Sequence, residues 1–426
     1  VNNPSPAATF YQSIQRWRWQ VFAITWIAYA SFYFTRKAFS IAKLGIGEDE
    51  GFAIDKEAMG NLDGYYLAAY AVGQFTWGIL ADRFGPRVVV LGGLIMSALV
   101  ALLMGTFATL PIFATCMIVQ GLAQSTGWAG LCKNIGSFFA TNERGRILGI
   151  WSSCYAFGGL VAGPFAGWWA YSVFGDWRAA FISSAIVVGI VAVLFFIFQR
   201  NRPEDVGLPP IEADSEELRQ EQAPRQSFVQ SLLTIMQNKH VLVLGIAYFL
   251  LKPARYAILF WGPWMVNERM PEIGKVAAAA VPTAFELAGL LGPFLIGWVS
   301  DKMFAARRFP PCVISLLMLT AFLALLVPAM YSGSIFLVVA VLFMMGLTLY
   351  GPDAMLCGAA AIDFGKGNAA TAAGFVNGCG SVGAVLGGVL PGYFDTETVF
   401  ILFTVTALIA TAMLVPFWNS KPQKAA

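Results

Sequence analysis

Residues 78–87 read GILADRFGPR, and residues 297–308 read GWVSDKMFAARR. Each stretch leaves an apolar run and ends in a cluster of charge. Asp82 and Asp301 are 219 residues apart, and so are Gly78 and Gly297. The same offset separates Arg36 from Arg255, two arginines that each lie inside an apolar run. One interval that relates both a charged loop and a cation within a span marks a parallel duplication. That is the pattern of membrane proteins built from two six-helix halves around a central axis.

The remainder of the chain fits a membrane setting. It has 426 residues, 58% hydrophobic and 12% charged, with mean hydropathy +0.67. A soluble domain carries about 25% charged residues. Twelve apolar cores fall near 19–40, 60–80, 88–108, 111–133, 146–173, 178–199, 241–266, 275–299, 309–330, 334–360, 369–394 and 398–418. Each is near the length that crosses a bilayer. The longest polar segment, QRNRPEDVGLPPIEADSEELRQEQAPRQ, separates six cores from six. The expected organisation is an N-terminal six-helix bundle over 1–200, a linker over 201–238 and a C-terminal six-helix bundle over 239–426.

Basic residues set the expected orientation. With the N-terminus in the cytoplasm, 18 of the 27 Lys and Arg lie in or beside cytoplasmic segments. Lys43, Lys56, Arg178, Arg269 and Lys275 fall on the far side, and Arg36, Lys37, Lys252 and Arg255 fall inside spans. That bias places both termini and the linker in the cytoplasm. The polar N-terminal segment lacks the features of a cleaved signal, so the first helix is expected to persist. The net charge of +3 is small and dispersed, which argues against nucleic acid.

A full cation within hydrocarbon costs at least about 2.5–3.5 kcal/mol on insertion scales, so four of them need a reason. Arg36 lies about 22 Å along the first span and Arg255 about 21 Å along the seventh, at 1.5 Å per residue. The two depths match. Adjacent residues on a helix point about 100° apart, so Arg36 and Lys37 face different surroundings. Tyr29, Tyr33 and Arg36 share one stripe, and Lys252, Arg255 and Tyr256 share another. Two such stripes facing each other would form an anion clamp, because the guanidinium fork matches phosphate oxygens. Glu286 and Asp353 are the acids singled out within spans, as charge partners or coupling groups. Glu286 is expected to pair with Lys37 or Lys252.

GCGSVG at 378–383 fits G-x-G-x-x-G, but no strand precedes it and it lies within an apolar core. Close helix packing is the better reading than a nucleotide site. The six cysteines form no C-x-x-C pair and fall in or beside apolar runs. No P-loop, catalytic constellation or metal-ligand cluster is visible, so an enzyme, a cofactor and a bound metal are not expected.

GILADRFGPR matches the G-x-L-A-D-R-x-G-x-R loop of the major facilitator superfamily. The segments YASFYFTRKAFS, GWAGLCKN, ERGRILGIW, RNRPEDVGLPP, YAILFWGPW, WVSDKMF and YGPDAML occur in order along nearly the whole chain. Together they resemble the organophosphate:phosphate antiporters, which include the bacterial glycerol-3-phosphate and hexose-6-phosphate exchangers and the animal sugar-phosphate exchangers. The resemblance implies an all-α major facilitator fold of twelve transmembrane helices in two pseudo-symmetric six-helix bundles. It implies that Arg36 and Arg255 grip the phosphate. It implies that Lys37 pairs with acids, one of them Glu286, while the position of the second acid is held by Phe260. It also implies a conformational latch at Asp82, Arg83 and Arg87, with Asp301 and Lys302 as a weaker copy. Tyr155 stands where the glycerol-phosphate exchangers carry a histidine, and Lys252 where they carry a tyrosine. Trp128, in GWAGLCKN, completes the expected substrate contacts with Tyr29, Tyr33 and Tyr256.

The expected function is exchange of an organophosphate for inorganic phosphate by alternating access, in the inner membrane, by a monomer. Two alternatives stay open at this point. One is a proton-coupled symporter of a phosphonate or organic anion that uses Asp353 or Glu286. The other is a membrane receptor for sugar phosphate.

Overall fold

A computed structural model of the chain describes residues 6–209, 236–305, 307–365 and 369–420. The side chains of 6–13 and of scattered helical positions, Asp82 among them, lie outside the described set, as does most of the linker. The described residues are almost wholly helical. They form twelve span-length stretches, α1 to α12. In the first half these are α1 (Pro6–Ile46), α2 (Lys56–Phe84), α3 (Pro86–Thr106), α4 (110–138), α5 (141–174) and α6 (Arg178–Phe198). In the second half they are α7 (Lys239–Arg269), α8 (274–303), α9 (Phe309–Tyr331), α10 (335–364), α11 (Ala369–Tyr393) and α12 (Thr396–Leu414). Among the described residues, nine stretches are long and apolar enough to cross a membrane. The other three, α1, α2 and α4, carry charges or a break. Interior polar groups in them are compensated by neighbouring helices, so hydropathy alone undercounts them.

The packing repeats. In the first half α1 packs on α5, α2 on α4 and α3 on α6. In the second half α7 packs on α11, α8 on α10 and α9 on α12. Each helix therefore has the same partner 219 residues on, as the repeated motif requires. Across the halves, α1 meets α7, α2 meets α11 and α5 meets α8.

Glycine and proline explain the local form. Gly85 ends α2 at φ +82° and Pro86 opens α3, which makes the FGP of the loop a sharp reversal. α7 and α11 approach closely because α11 carries Gly380, Gly383 and Gly387 on the contact face. A Cβ at Gly383 would sit 2.2 Å from the Phe249 carbonyl oxygen. That is the part GCGSVG plays here. Backbone cannot yield as a side chain can, so Gly383→Ala is expected to cost about 1–3 kcal/mol and to lower the melting temperature by about 1–3 °C. An unchanged melting temperature in detergent would contradict this account of the α7–α11 contact.

α1 is longer than its apolar core. It runs to Ile46 and so takes in Lys43, placed from sequence on the far side of the membrane. Lys43 is instead 1% exposed, within the protein. Its charge is met by Asp63 of α2, also 1% exposed. A paired lysine tolerates burial that an isolated one does not.

Candidate functional site

α1 places two basic side chains side by side and sends them to opposite partners. Arg36 turns into the first half. Its Nε donates to Gln124 Oε1 of α4 at 3.0 Å. The guanidinium lies 4.5 Å from the Tyr33 ring centre and 5.0 Å from that of Tyr70 of α2. Tyr66, one turn from Tyr70, donates to the same Gln124 oxygen at 2.7 Å. Aromatic faces offset part of the desolvation of a buried cation, about 0.5–2 kcal/mol each.

Lys37 turns to the second half. Its Nζ donates to Glu286 Oε1 of α8 at 3.4 Å and to the Leu259 carbonyl of α7 at 3.2 Å. Of the two partners expected for Glu286, the structure brings Lys37 to it. Tyr350 of α10 donates to the other Glu286 oxygen at 2.5 Å. A backbone carbonyl next to Phe260 thus serves where the resemblance implied a second acid.

On α7, Lys252 donates to Tyr248 Oη and to Asp353 Oδ1, each at 2.7 Å. Arg255 Nη1 donates to Asp353 Oδ2 at 2.8 Å, and its guanidinium covers the Tyr350 ring at 4.4 Å. Asp353 therefore bridges both cations of the second stripe. Its backbone is held where α10 changes from α to π geometry, just before Met355–Ala360. Such π-bulges recur at functional positions because they re-aim side chains. Pro352 removes the donor that the Thr348 carbonyl would have used, and Ser315 of α9 supplies one at 2.8 Å.

Tyr33 and Tyr256 lie within electrostatic reach of both Arg36 and Arg255. Tyr155 is within reach of Arg255 and Asp353 across the two halves. Trp128 packs edge-on to Tyr29 at 5.4 Å, beside Trp151 at 5.7 Å and Tyr155 at 6.4 Å. Trp128 remains 39% exposed, whereas Tyr29 is 5% exposed. The expected contacts thus form two groups, cations with phenols and an aromatic wall beside them. Among the described residues, the buried Nη2 of Arg36 and Nε of Arg255 have no hydrogen-bond acceptor. Buried guanidinium nitrogens without acceptors are costly in a closed protein and suit a site that receives an anion.

The loop residues are placed apart from this cluster. Arg87 donates through its backbone N–H to Asn201 at 2.7 Å and through Nη2 to the Phe196 carbonyl at 2.5 Å. Arg83 and Lys302 are exposed. Asp301 accepts from Arg308 Nη1 at 2.8 Å, while Arg308 Nε reaches Asp363 at 2.7 Å. The Asp82 side chain is outside the described residues.

The sequence reading passed over Gln124, Tyr66, Tyr70, Tyr350 and Asp63. The i, i+4 phenols of α2 and an acid within the second apolar core were the available signals. Nothing in the local sequence of α4 marks Gln124.

The Major Facilitator Superfamily profile matches residues 25–388. The chain belongs to this superfamily. Its relatives place it in the organophosphate:phosphate antiporter family, the family it resembles in sequence. This major facilitator chain is 30% identical to the glycerol-3-phosphate transporter of Bacillus subtilis, over 95% of the chain and 93% of the relative. It is 28% identical to the "probable hexose phosphate transport protein" of Chlamydia trachomatis, over 96% of the chain and 92% of the relative. Among solved structures it is similar in fold to a bacterial homologue of the human lysosomal transporter Spinster in an inward-facing, occupied conformation. The TM-score is 0.75 at 16% identity, covering 94% of this chain and 96% of that one. The major facilitator chain is a multi-pass membrane protein.

Proposed function

We propose that the chain is an inner-membrane exchanger of an organophosphate for inorganic phosphate, working by alternating access. The observation that carries this reading is the pair of buried guanidinium groups, Arg36 from one half and Arg255 from the other, each with a nitrogen that lacks an acceptor. The relatives named for glycerol 3-phosphate and hexose phosphate support it.

The charges close around a dianion. Lys37 with Glu286 and Lys43 with Asp63 are self-compensating pairs. Asp353 offsets one of Lys252 and Arg255. Arg36 and one further cation remain, so a phosphate bearing two negative charges balances the site. Without it, closing the cleft strips water from uncompensated cations at several kcal/mol per ion. The loaded form crosses far more readily than the empty one, and exchange follows from that difference. The aromatic wall of Tyr29, Trp128 and Tyr155 receives the organic moiety, and Tyr33 and Tyr256 flank the phosphate. Asp353, already engaged by two cations, is the counter-ion that holds the second stripe together.

The bundles are 1–200 and 239–426, joined by the linker over 201–238, and both termini are cytoplasmic by the distribution of basic residues. Among the described residues, the hydrogen bonds between the halves come from Lys37, Ser40, Lys43, Lys56, Lys275 and Tyr393, all toward the end away from the termini. These contacts support a reading in which the halves are closed together on the outer side. Arg83, Arg87, Asp82, Asp301 and Lys302 belong to the latch of the opposite state. The exchanger works as a monomer.

Counterflow tests the reading. Purified protein in vesicles preloaded with phosphate is expected to accumulate labelled glycerol 3-phosphate or hexose 6-phosphate, and a protonophore is expected to leave the rate unchanged. Uptake that ignores internal phosphate and collapses with the protonophore would instead favour proton symport. Binding without flux would favour a receptor.

A further inference from the structure

Lys43 and Asp63 are buried charges that the phosphate site does not use. Their setting explains why they are there. α7 carries Pro263, which has no N–H to give to the carbonyl of Leu259 one turn earlier. α1 supplies the missing donors from the other half. Lys37 Nζ reaches the Leu259 oxygen at 3.2 Å and Ser40 Oγ at 3.4 Å. Lys43 Nζ reaches the next carbonyl, Phe260, at 3.3 Å. Lys43 also lies 3.7 Å from the Trp261 ring centre, while Trp261 Nε1 donates to the Gly388 carbonyl of α11 at 2.9 Å. Gly388 in turn packs against Asp63, where an added Cβ would come within 3.0 Å of the Asp63 Cβ. One ammonium thus joins α1, α2 and α7, and Trp261 carries the contact on to α11, with no side-chain exposure at Lys43 and 2% at Asp63.

We propose that Lys43, aimed by Asp63, is the catch that holds the outer gate shut against α7. This rests on the alternating-access reading. Asp63 belongs to the same half as Lys43, so their ion pair survives when the halves part. Only the Phe260 carbonyl and the Trp261 face are lost, and water replaces them. The catch releases without ever leaving a buried charge alone, which keeps it reversible. Arg36, Ser40 and Lys43 follow at i, i+4 and i+7 on α1, so the catch and the phosphate grip share one helix face. A tilt of α1 moves both.

A cysteine in place of Val389 reports on the gate. Val389 of α11 packs against Gly64 of α2 between the halves, where a Cβ on Gly64 would meet its Cγ2 at 2.6 Å. With the six native cysteines changed to alanine, a membrane-impermeant maleimide is added to the face opposite a tagged terminus, without substrate. Lys43→Met is expected to raise the labelling rate at least about fivefold, by shifting the population toward the outward-open state. Pro263→Ala is expected to act in the same direction, because the new N–H takes the Leu259 carbonyl back from Lys37 and Ser40. Wild-type labelling in Lys43→Met protein that is monodisperse in detergent overturns the proposal. If that variant does not accumulate, Lys43→Met combined with Asp63→Asn, which leaves no buried charge unpaired, decides instead, and a wild-type labelling rate there overturns it. Labelling needs no anion, so failure here is distinct from failure of the phosphate grip.

Discussion

Arg36→Lys is expected to cut phosphate-dependent counterflow at least about a hundredfold, equivalent to about 2.8 kcal/mol. Charge is retained, so the loss isolates geometry. The arginine fixes its Nε on Gln124 at 3.0 Å, stacks on Tyr33 and still has Nη2 to offer. A lysine has one nitrogen for all of these tasks and cannot form a planar two-point contact with phosphate. Arg255→Lys is expected to fail in the same way, because Arg255 spends Nη1 on Asp353 and stacks on Tyr350. Both proteins are expected to insert and to elute as wild type does. Near-normal exchange by either would remove the paired guanidinium groups from the mechanism.

Asp353→Ala is expected to be the most destabilising substitution in the site. Its two oxygens each hold a different cation, Lys252 at 2.7 Å and Arg255 at 2.8 Å. Removal leaves both without a counter-ion in a setting where Asp353 itself is 7% exposed. Breaking a buried pair from one side costs about 3–5 kcal/mol. The melting temperature in detergent is expected to fall by several degrees, and added phosphate is expected to restore more of it than it adds to the wild-type protein. A bound dianion would then supply the negative charge that the aspartate supplied. If the variant melts as wild type does, or if phosphate shifts both proteins equally, the charge balance argued for the site is wrong.

The two halves were legible in sequence because duplication leaves a fixed interval, and 219 residues relates both the loop and the arginines. Membrane spans were legible because hydrocarbon demands apolar length. The exception was α1, which outruns its apolar core and carries Lys43 into the protein. A charge near the end of an apolar run reads as a loop residue unless its partner is known, and the partner, Asp63, lies on another helix. The partners of Arg36 were hidden for the same reason. Gln124, Tyr66 and Tyr70 come from α4 and α2, and only packing brings them to α1. Pairing of acids with cations was half legible. Glu286 reaches Lys37, one of the two partners its position allowed, but the double engagement of Asp353 required α7 and α10 to be side by side. The acceptor role of the Leu259 carbonyl follows from Pro263 by elementary bookkeeping of backbone donors, yet which side chains answer it depends on the α1–α7 contact.

The central claim is that one anion is gripped from both halves at once. A cryo-electron microscopy structure of the phosphate-bound protein tests this most directly. It is predicted to place the phosphate within hydrogen-bond distance of Arg36 Nη2 and of the Arg255 guanidinium together, with Asp353 still on Lys252. A phosphate held by one arginine alone, or lodged elsewhere in the cleft while the other guanidinium stays unpaired, would contradict it.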